Sequence, residues 1–211
     1  MRAEYIDHMG SDNRVADAAR VSFEKEASMF TEEQNGKLLS YLARNGHWSP
    51  FSHPQITLRY TVPIFVARQE FKHIVGFTRN EVSRRYVDDE PTFYVPDSLR
   101  KRPDGSVKQG SGGEHPSSDA YIGYIKEDAQ RALNLYNMLI KDEVAPEQAR
   151  TVLPQSMYTS YYVTGSLAAF ARFYRQRTDS HAQQEIQDLA HMVGNIIKPL
   201  FPVSWSALTD D

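Results

Sequence analysis

The sequence predicts an α+β fold, a central and mainly antiparallel sheet flanked by helices in a single domain over residues 1–211, from three observations. Ile56, Leu58, Tyr60 and Val62 alternate with Gln55, Thr57, Arg59 and Thr61, the period of a strand with one buried face. The run MYTSYYVTG, residues 157–165, is rich in tyrosine, threonine and valine and reads as a second strand. Helical periodicity fills much of the rest, and its longest run sets Tyr121, Ile125, Ala129, Ala132, Leu135, Tyr136 and Leu139 on one face. With 211 residues, 40% hydrophobic and 24% charged, the chain has the size and balance of one soluble unit able to bury a core.

Composition narrows the function classes. A net charge of −3 argues against general attraction to nucleic acid or to a membrane surface, so any basic cluster is a local feature with a small partner. The first residues, MRAEYIDHMGSDN, hold no apolar targeting core, and no run approaches the roughly 18 apolar residues of a membrane span. A cytoplasmic protein is expected. The chain has no cysteine, which removes disulfides, thiolate metal sites and cysteine nucleophiles together.

Taken in order, residues 13–21 are helix-like, with Val15, Ala18, Ala19 and Val21 as apolar members and Arg20 close to Ser22. Thr31 with Gln34 three residues on forms a capping-box pattern for a helix carrying Leu38, Leu39, Tyr41 and Leu42 and ending near Asn45-Gly46. The turn-rich NGHWSPFSH follows; its two histidines, His47 and His53, lack further ligands at metal-binding spacing, and no metal is expected. Pro63 ends the first strand and suits a helix start. Ile64, Ala67, Phe71 and Val75 then make an apolar stripe, Gly76 stops the helix, and the polar groups beyond it lie on a loop.

Phe93, Tyr94 and Val95 suit a short strand. Residues 97–118 are rich in Gly, Ser, Pro and charge, and read as a flexible loop with too little apolar surface to offset ordering. Asp119 is placed to cap the longest helix, and Pro146 to open a short one that ends near Arg150. Ser166 caps the next, where Leu167, Phe170, Ala171 and Tyr174 turn inward. After Thr178-Asp179-Ser180 a last amphipathic helix sets Ile186, Leu189, Val193, Ile196 and Ile197 inward. No internal repeat and no phosphate-binding Gly-rich loop is evident.

The chemistry concentrates in residues 68–86, RQEFKHIVGFTRNEVSRRY. Arg68, Lys72, His73, Arg79, Arg84 and Arg85 stand there against two acids, Glu70 and Glu81. Arginine presents a planar, permanently charged fork suited to phosphate, and Ser83, Asn80 and Glu81 can orient a polar ring. A phosphorylated small ligand is the first reading, and a solvated charged face is the plain alternative. A nucleic-acid-binding module using the same stretch, with Phe77 and Tyr86 for stacking, is a third.

NEVSRRY resembles the NExSxRY end of the signature of flavin-dependent thymidylate synthases. AARVSF, NGHWSPFSH, PIFVARQ, VLP and RTDSHAQQEI resemble that family's pattern in the same order. Where the family signature begins RHR, this chain has Lys72-His73-Ile74-Val75, and where the family places asparagine and arginine at the flavin it has Ser166 and Ala168.

The resemblance implies methylation of dUMP to dTMP, with methylenetetrahydrofolate as carbon donor, reduced FAD as hydride donor and NADPH as reductant. It assigns Arg177 to activation of the uracil ring in place of a cysteine; Gln69, Lys72, Ser83, Arg84, Arg85 and Arg150 to dUMP; and His53, His73, Glu81, Ser166 and Arg172 to the flavin. It also implies a homotetramer with active sites shared between subunits. A flavin- or nucleotide-binding relative without synthase activity is the remaining alternative.

Overall fold

The structure, a computed structural model, describes residues 1–87, 89–103, 105 and 109–210. Four strands, β1 (Arg2–Met9), β2 (Gln55–Pro63), β3 (Phe77–Glu81) and β4 (Tyr158–Ser166), form one sheet in the order β1-β2-β4-β3. Every neighbouring pair is antiparallel, as the fold class requires. The helices are α1 (Asp12–Arg20), α2 (Glu32–Arg44), α3 (Ile64–Glu70), α4 (Ser118–Lys141), α5 (Pro146–Ala149), α6 (Leu167–Arg177), α7 (Gln184–Ile197) and α8 (Pro202–Thr209).

One face of the sheet is dry. Ile56, Leu58, Tyr60 and Val62 of β2 and Tyr161 and Val163 of β4 share a core with Phe170 and Phe173 of α6, Ile186, Leu189 and Val193 of α7, and Trp205 of α8. The alternate residues Arg59 and Tyr162 face outward and are exposed, which is the alternation expected of a half-buried antiparallel sheet. The capping box at the start of α2 forms reciprocally: Gln34 N donates to Thr31 Oγ1 and Thr31 N to Gln34 Oε1.

Several elements differ from the sequence reading. The strand β1 was not anticipated, because its residues are mostly charged or exposed and carry little alternation. Helix α3 stops at Glu70 rather than near Gly76, so Val75 leaves the apolar stripe and is 70% exposed. Residues 77–81, expected in a loop, pair with β4, which supplies the order their own composition lacks. The expected strand at residues 93–95 is reduced to one bridge, Phe93 to Met157. Ser117, not Asp119, occupies the N-cap of α4, while Asp119 sits in its first turn. In the loop 97–118, the backbones of Arg100 and Glu114 pair in one isolated antiparallel β-bridge, and residues 104 and 106–108 lie outside the described residues.

The strands β2 and β4 run in full antiparallel register, from Gln55 opposite Ser166 to Pro63 opposite Tyr158. Each feeds directly into a helix, α3 and α6, so the two strand-helix units are related by an approximate two-fold axis through the pair. Reciprocal backbone bonds hold the junctions: Ile64 N donates to Met157 O at 2.9 Å and Leu167 N to Pro54 O at 3.1 Å. This arrangement brings the end of α3 and the end of α6 toward a common region.

Candidate active site

The first half of the site is the end of α3. Val66, Ala67 and Glu70 are its buried members, so helical geometry carries the Glu70 carboxylate inward, where it is 1% exposed. A buried carboxylate requires partners. Arg79, on β3, donates from Nε to Glu70 Oε2 at 2.8 Å and from Nη2 to Oε1 at 2.6 Å, and Tyr161 Oη donates to Oε2 at 3.1 Å. Burial raises the Glu70 carboxyl above the usual range, while the hydrogen bonds from Arg79 and Tyr161 pull the other way. The same Arg79 Nη2 reaches the carbonyl oxygens of His73 at 2.6 Å and Glu70 at 3.2 Å.

The second half is the end of α6. Arg177 donates from Nε to His73 Nε2 at 2.8 Å and from Nη2 to Gln69 O at 3.2 Å. Because a guanidinium only donates, His73 Nε2 must accept, and the neutral imidazole carries its proton on Nδ1. His73 is 7% exposed and meets the edge of Phe173 at a centroid distance of 5.1 Å. Burial, then the charges of Arg177, Arg172 and Arg79, lowers its pKa to about 4. Burial also lowers the proton affinity of Arg177, opposed by the Glu70 charge.

Arg177 and Gln69 line a cavity of about 950 Å³ whose wall includes Trp48, Ala168, Arg172 and His181. Arg172 also donates to Val75 O. A neighbouring cavity of about 630 Å³, bounded by Tyr94, Arg100 and Glu185, shares His181 and Gln183 with the first. A relay joins the two: Gln69 Nε2 donates to Gln183 Oε1 at 2.6 Å, Gln183 Nε2 to Glu185 Oε2 at 2.8 Å, and Arg100 Nη2 to Glu185 Oε1 at 2.7 Å. Burial works to raise the Glu185 carboxyl, but these hydrogen bonds hold it below its usual value.

A further concavity of about 390 Å³ is lined by Arg68, Glu81, Arg84, Arg150 and Thr159. Glu81 Oε1 accepts from Thr159 Oγ1 at 2.6 Å, and Arg84 is held by Asp89. Arg150 is exposed at the start of a single 3-10 turn after α5. Ser83 Oγ accepts from Arg85 N at 3.4 Å, and the Arg85 guanidinium lies 5.1 Å from the Tyr86 ring centre.

The residues singled out from the sequence therefore divide. Gln69, Arg172 and Arg177 meet at one cavity, with His73 behind them. Glu81, Arg84 and Arg150 meet at another, with Ser83 and Arg85 in the loop after β3. Lys72 is exposed on the turn between α3 and β3. His53 is exposed beside Arg14, Asp17 and Lys25 in a separate concavity of about 350 Å³. Ser166 is buried and caps α6 by accepting from Ala169 N at 3.2 Å. The basic stretch is no single stripe, since Arg79 turns into the protein while Arg68 and Arg85 stay exposed. Sequence reasoning counted Glu70 and Arg79 in the charged stretch but gave neither of them, nor Glu185, a place in the site. A signal for Glu70 existed in its spacing from Val66 and Ala67, which puts it on the buried face.

Comparison with known proteins adds a family and relatives. Residues 4–203 match the family described as "Thymidylate synthase complementing protein". A flavin-dependent thymidylate synthase of Thermosipho africanus is 37% identical over 203 residues, covering 96% of this chain and 88% of the relative. One from Thermus thermophilus is 34% identical over 205 residues, covering 97% and 74%. Among solved structures, a UMP/dUMP methylase, PolB from Streptomyces cacaoi bound with 5-Br dUMP, is similar with a TM-score of 0.89 and 32% identity, covering 99% of this chain and 94% of that one.

Proposed function

The chain belongs to the flavin-dependent thymidylate synthase family, and from that premise we propose that it methylates dUMP to dTMP, with Arg177 activating the uracil ring. The observation that carries this reading is the Arg177 guanidinium, held at the edge of the cavity of about 950 Å³ by His73 and the Gln69 carbonyl. The chain has no cysteine to add to the ring, so activation is non-covalent or uses another group, and in this reading C5 gains nucleophilicity by charge stabilisation. A fixed cation beside the ring oxygens and N3 favours the negative charge that develops there. Two of the five N–H groups of an arginine are engaged by the protein in Arg177, which leaves the others for a ligand.

The residues present fit a flavin. The cavity of about 950 Å³ lies within the usual range for ligand sites of about 300–1,000 Å³. Its wall combines the Arg172 and Arg177 guanidiniums with the exposed Trp48 ring, a set suited to phosphates and a planar heterocycle. When bound, reduced FAD supplies the hydride, methylenetetrahydrofolate being the carbon donor and NADPH the reductant in this reading. Arg172 is the flavin-facing residue of this cavity, with His73 behind Arg177; His53, His73, Glu81 and Ser166 complete the set expected from the sequence. Gln69, Lys72, Ser83, Arg84, Arg85 and Arg150 would bind the nucleotide.

Of the nucleotide residues, Gln69 lines one concavity of the chain and Arg84 and Arg150 another, which is the arrangement a site shared between copies of a homotetramer would give on one chain. Exposed Tyr121, Tyr124 and Met138 on α4 offer apolar surface for such contacts. Among the described residues no helix is long and apolar enough to cross a membrane; the cytoplasmic location is proposed from the sequence alone.

The test is product formation. Protein supplied with FAD, NADPH, methylenetetrahydrofolate and dUMP should form dTMP, and UMP is offered in parallel because the similar Streptomyces cacaoi protein is a UMP/dUMP methylase. Absence of both methylated products in flavin-loaded protein refutes the reading. Inactive Arg177→Ala and Arg150→Ala variants, dissociated together and reassociated, should regain activity if the two arginines of one site come from different copies. No recovery in mixed assemblies refutes the shared site.

A further inference from the structure

The brace behind Arg177, the Glu70–Arg79 pair, has no place in the reading above. One guanidinium, Arg79, grips both oxygens of a carboxylate on α3 and two backbone carbonyls, one of them that of His73. It is itself flanked by the Phe71 and Phe77 rings, with centroids 5.5 and 4.9 Å away. The turn it grips is confined from the other side as well. Gly76 has φ of +82°, and a Cβ there would lie 2.9 Å from Ala169 Cβ of α6. The His73 ring is fixed edge-on against Phe173 of the same helix. The turn is thus clamped between β3 and α6, and its one ring nitrogen facing Arg177 is an acceptor.

We propose that Glu70 and Arg79 are positioning residues: the pair fixes the turn that carries His73, and His73, by accepting from Arg177 Nε, aims the remaining guanidinium donors into the cavity. The catalytic consequence rests on the reading of Arg177 as the activating group. An arginine side chain has many rotamers, and fixing one before substrate arrives removes that ordering from the reaction. A buried pair present only for stability gains little over apolar side chains of similar size, so the contact with the His73 carbonyl is what distinguishes a positioning role. Neutral His73 is needed, because a protonated ring could not accept from Arg177. The groups facing it are all cationic, Arg177 and Arg172 from α6 and Arg79 from β3.

The experiment compares wild type with Glu70→Met/Arg79→Met, which removes both charges together and leaves neither buried alone, and with Arg79→Lys, which keeps the charge but loses the fork. Nitrogen-15 NMR of ligand-free protein reads the His73 tautomer and the Arg177 Nε–H signal. Wild type should show Nδ1–H imidazole and a slowly exchanging Arg177 Nε–H. Both variants should lose that Nε–H protection, with kcat falling on the order of 10- to 100-fold, the cost of a misplaced group, and KM for dUMP changing less than about threefold. If the double variant does not fold, Arg79→Lys decides alone. Retained Nε–H protection and tautomer in a folded variant overturn the proposal, as does loss of both with kcat unchanged. The NMR comparison stands whether or not dTMP is made, so failure of the proposed function is seen separately.

Discussion

The two strand-helix units, β2–α3 and β4–α6, start from the same design and end differently. Both strands have the same sequence of buried and exposed positions over nine residues, and both helices begin from an extended N-cap, Pro63 at φ −66° and ψ 150°, Ser166 at φ −72° and ψ 156°. Yet α3 has 7 residues and α6 has 11. The shorter helix stops with Glu70 driven into the core, where it anchors Arg79. The longer one runs one turn further and delivers Arg177 to the cavity edge. One copy of the unit carries the proposed brace and the other the proposed activating arginine, so the candidate site lies where a pseudo-symmetric scaffold stops being symmetric.

The largest expected effect tests the arm. Arg177→Ala should lower kcat and kcat/KM for dUMP together by about 10²- to 10³-fold, the usual cost of losing one preorganised donor. Flavin retention should survive, and Arg177→Lys should restore little because it lacks the fork. A raised KM with near-normal turnover would reduce Arg177 to a binding residue and remove the functional side of the comparison.

How far this asymmetry could be read beforehand depends on which interactions are local. Alternation in β2, the tyrosine- and threonine-rich β4, the capping box at Thr31 and the Ser166 cap are carried by neighbouring residues, and all are visible in the sequence. The strands β1 and β3 take their order from partners far along the chain, and a run such as FTRNE has no signal of its own. The same holds for the site. Arg177, Gln69 and the arginines of residues 84–85 stand out by type and by resemblance, but the inward turn of Arg79 is decided by Glu70 and the His73 carbonyl. The approximate two-fold escapes the sequence because burial pattern, not residue identity, is what repeats.

The brace makes a prediction about pH. His73 titrates near 4 in the folded protein against about 6.5 unfolded. Between those values the unfolded chain binds more protons, so this group makes stability rise with pH, and its contribution is lost as pH falls from about 6.5 toward 4. The amount is on the order of 2 to 3 kcal/mol. Glu70, with its carboxyl raised, acts in the opposite sense over part of that range. The clean measurement is therefore a difference: His73→Gln keeps an acceptor for Arg177 without titrating, and denaturant unfolding at pH 4.5 and 7 should show a shallower pH slope than wild type. Equal slopes would mean that His73 is not held neutral by its surroundings.

A smaller effect comes from the junction where the units diverge sterically. At the position equivalent to Val62 in β2, β4 has Gly165, and a Cβ there would lie 2.6 Å from Phe77 Cε1. Gly165→Ala should cost about 1 to 3 kcal/mol by overpacking, measured as a lower urea midpoint at unchanged slope. Gly165→Ala combined with Phe77→Leu should recover part of it. If the single variant is neutral, the close approach of β3 to β4 at this point is not what makes the second unit differ.

The smallest effect separates two roles for one hydroxyl. Ser166 is expected from the sequence both to cap α6 and to touch the flavin, whereas its counterpart Pro63 makes no side-chain cap. Its Oγ accepts from Ala169 N at 3.2 Å and the residue is buried, so Ser166→Ala should cost about 1 kcal/mol of stability, the ordinary value of an N-cap. If capping is its whole contribution, FAD affinity measured by equilibrium dialysis at low temperature, where the variant stays folded, should not move. Ser166→Asp, which also caps, should then regain the stability, since an anion suits the helix start. A drop in FAD affinity that exceeds the loss of stability, with no rescue by aspartate, would instead make the hydroxyl a cofactor contact, and the start of α6 as well as its end would have departed from the α3 pattern for function.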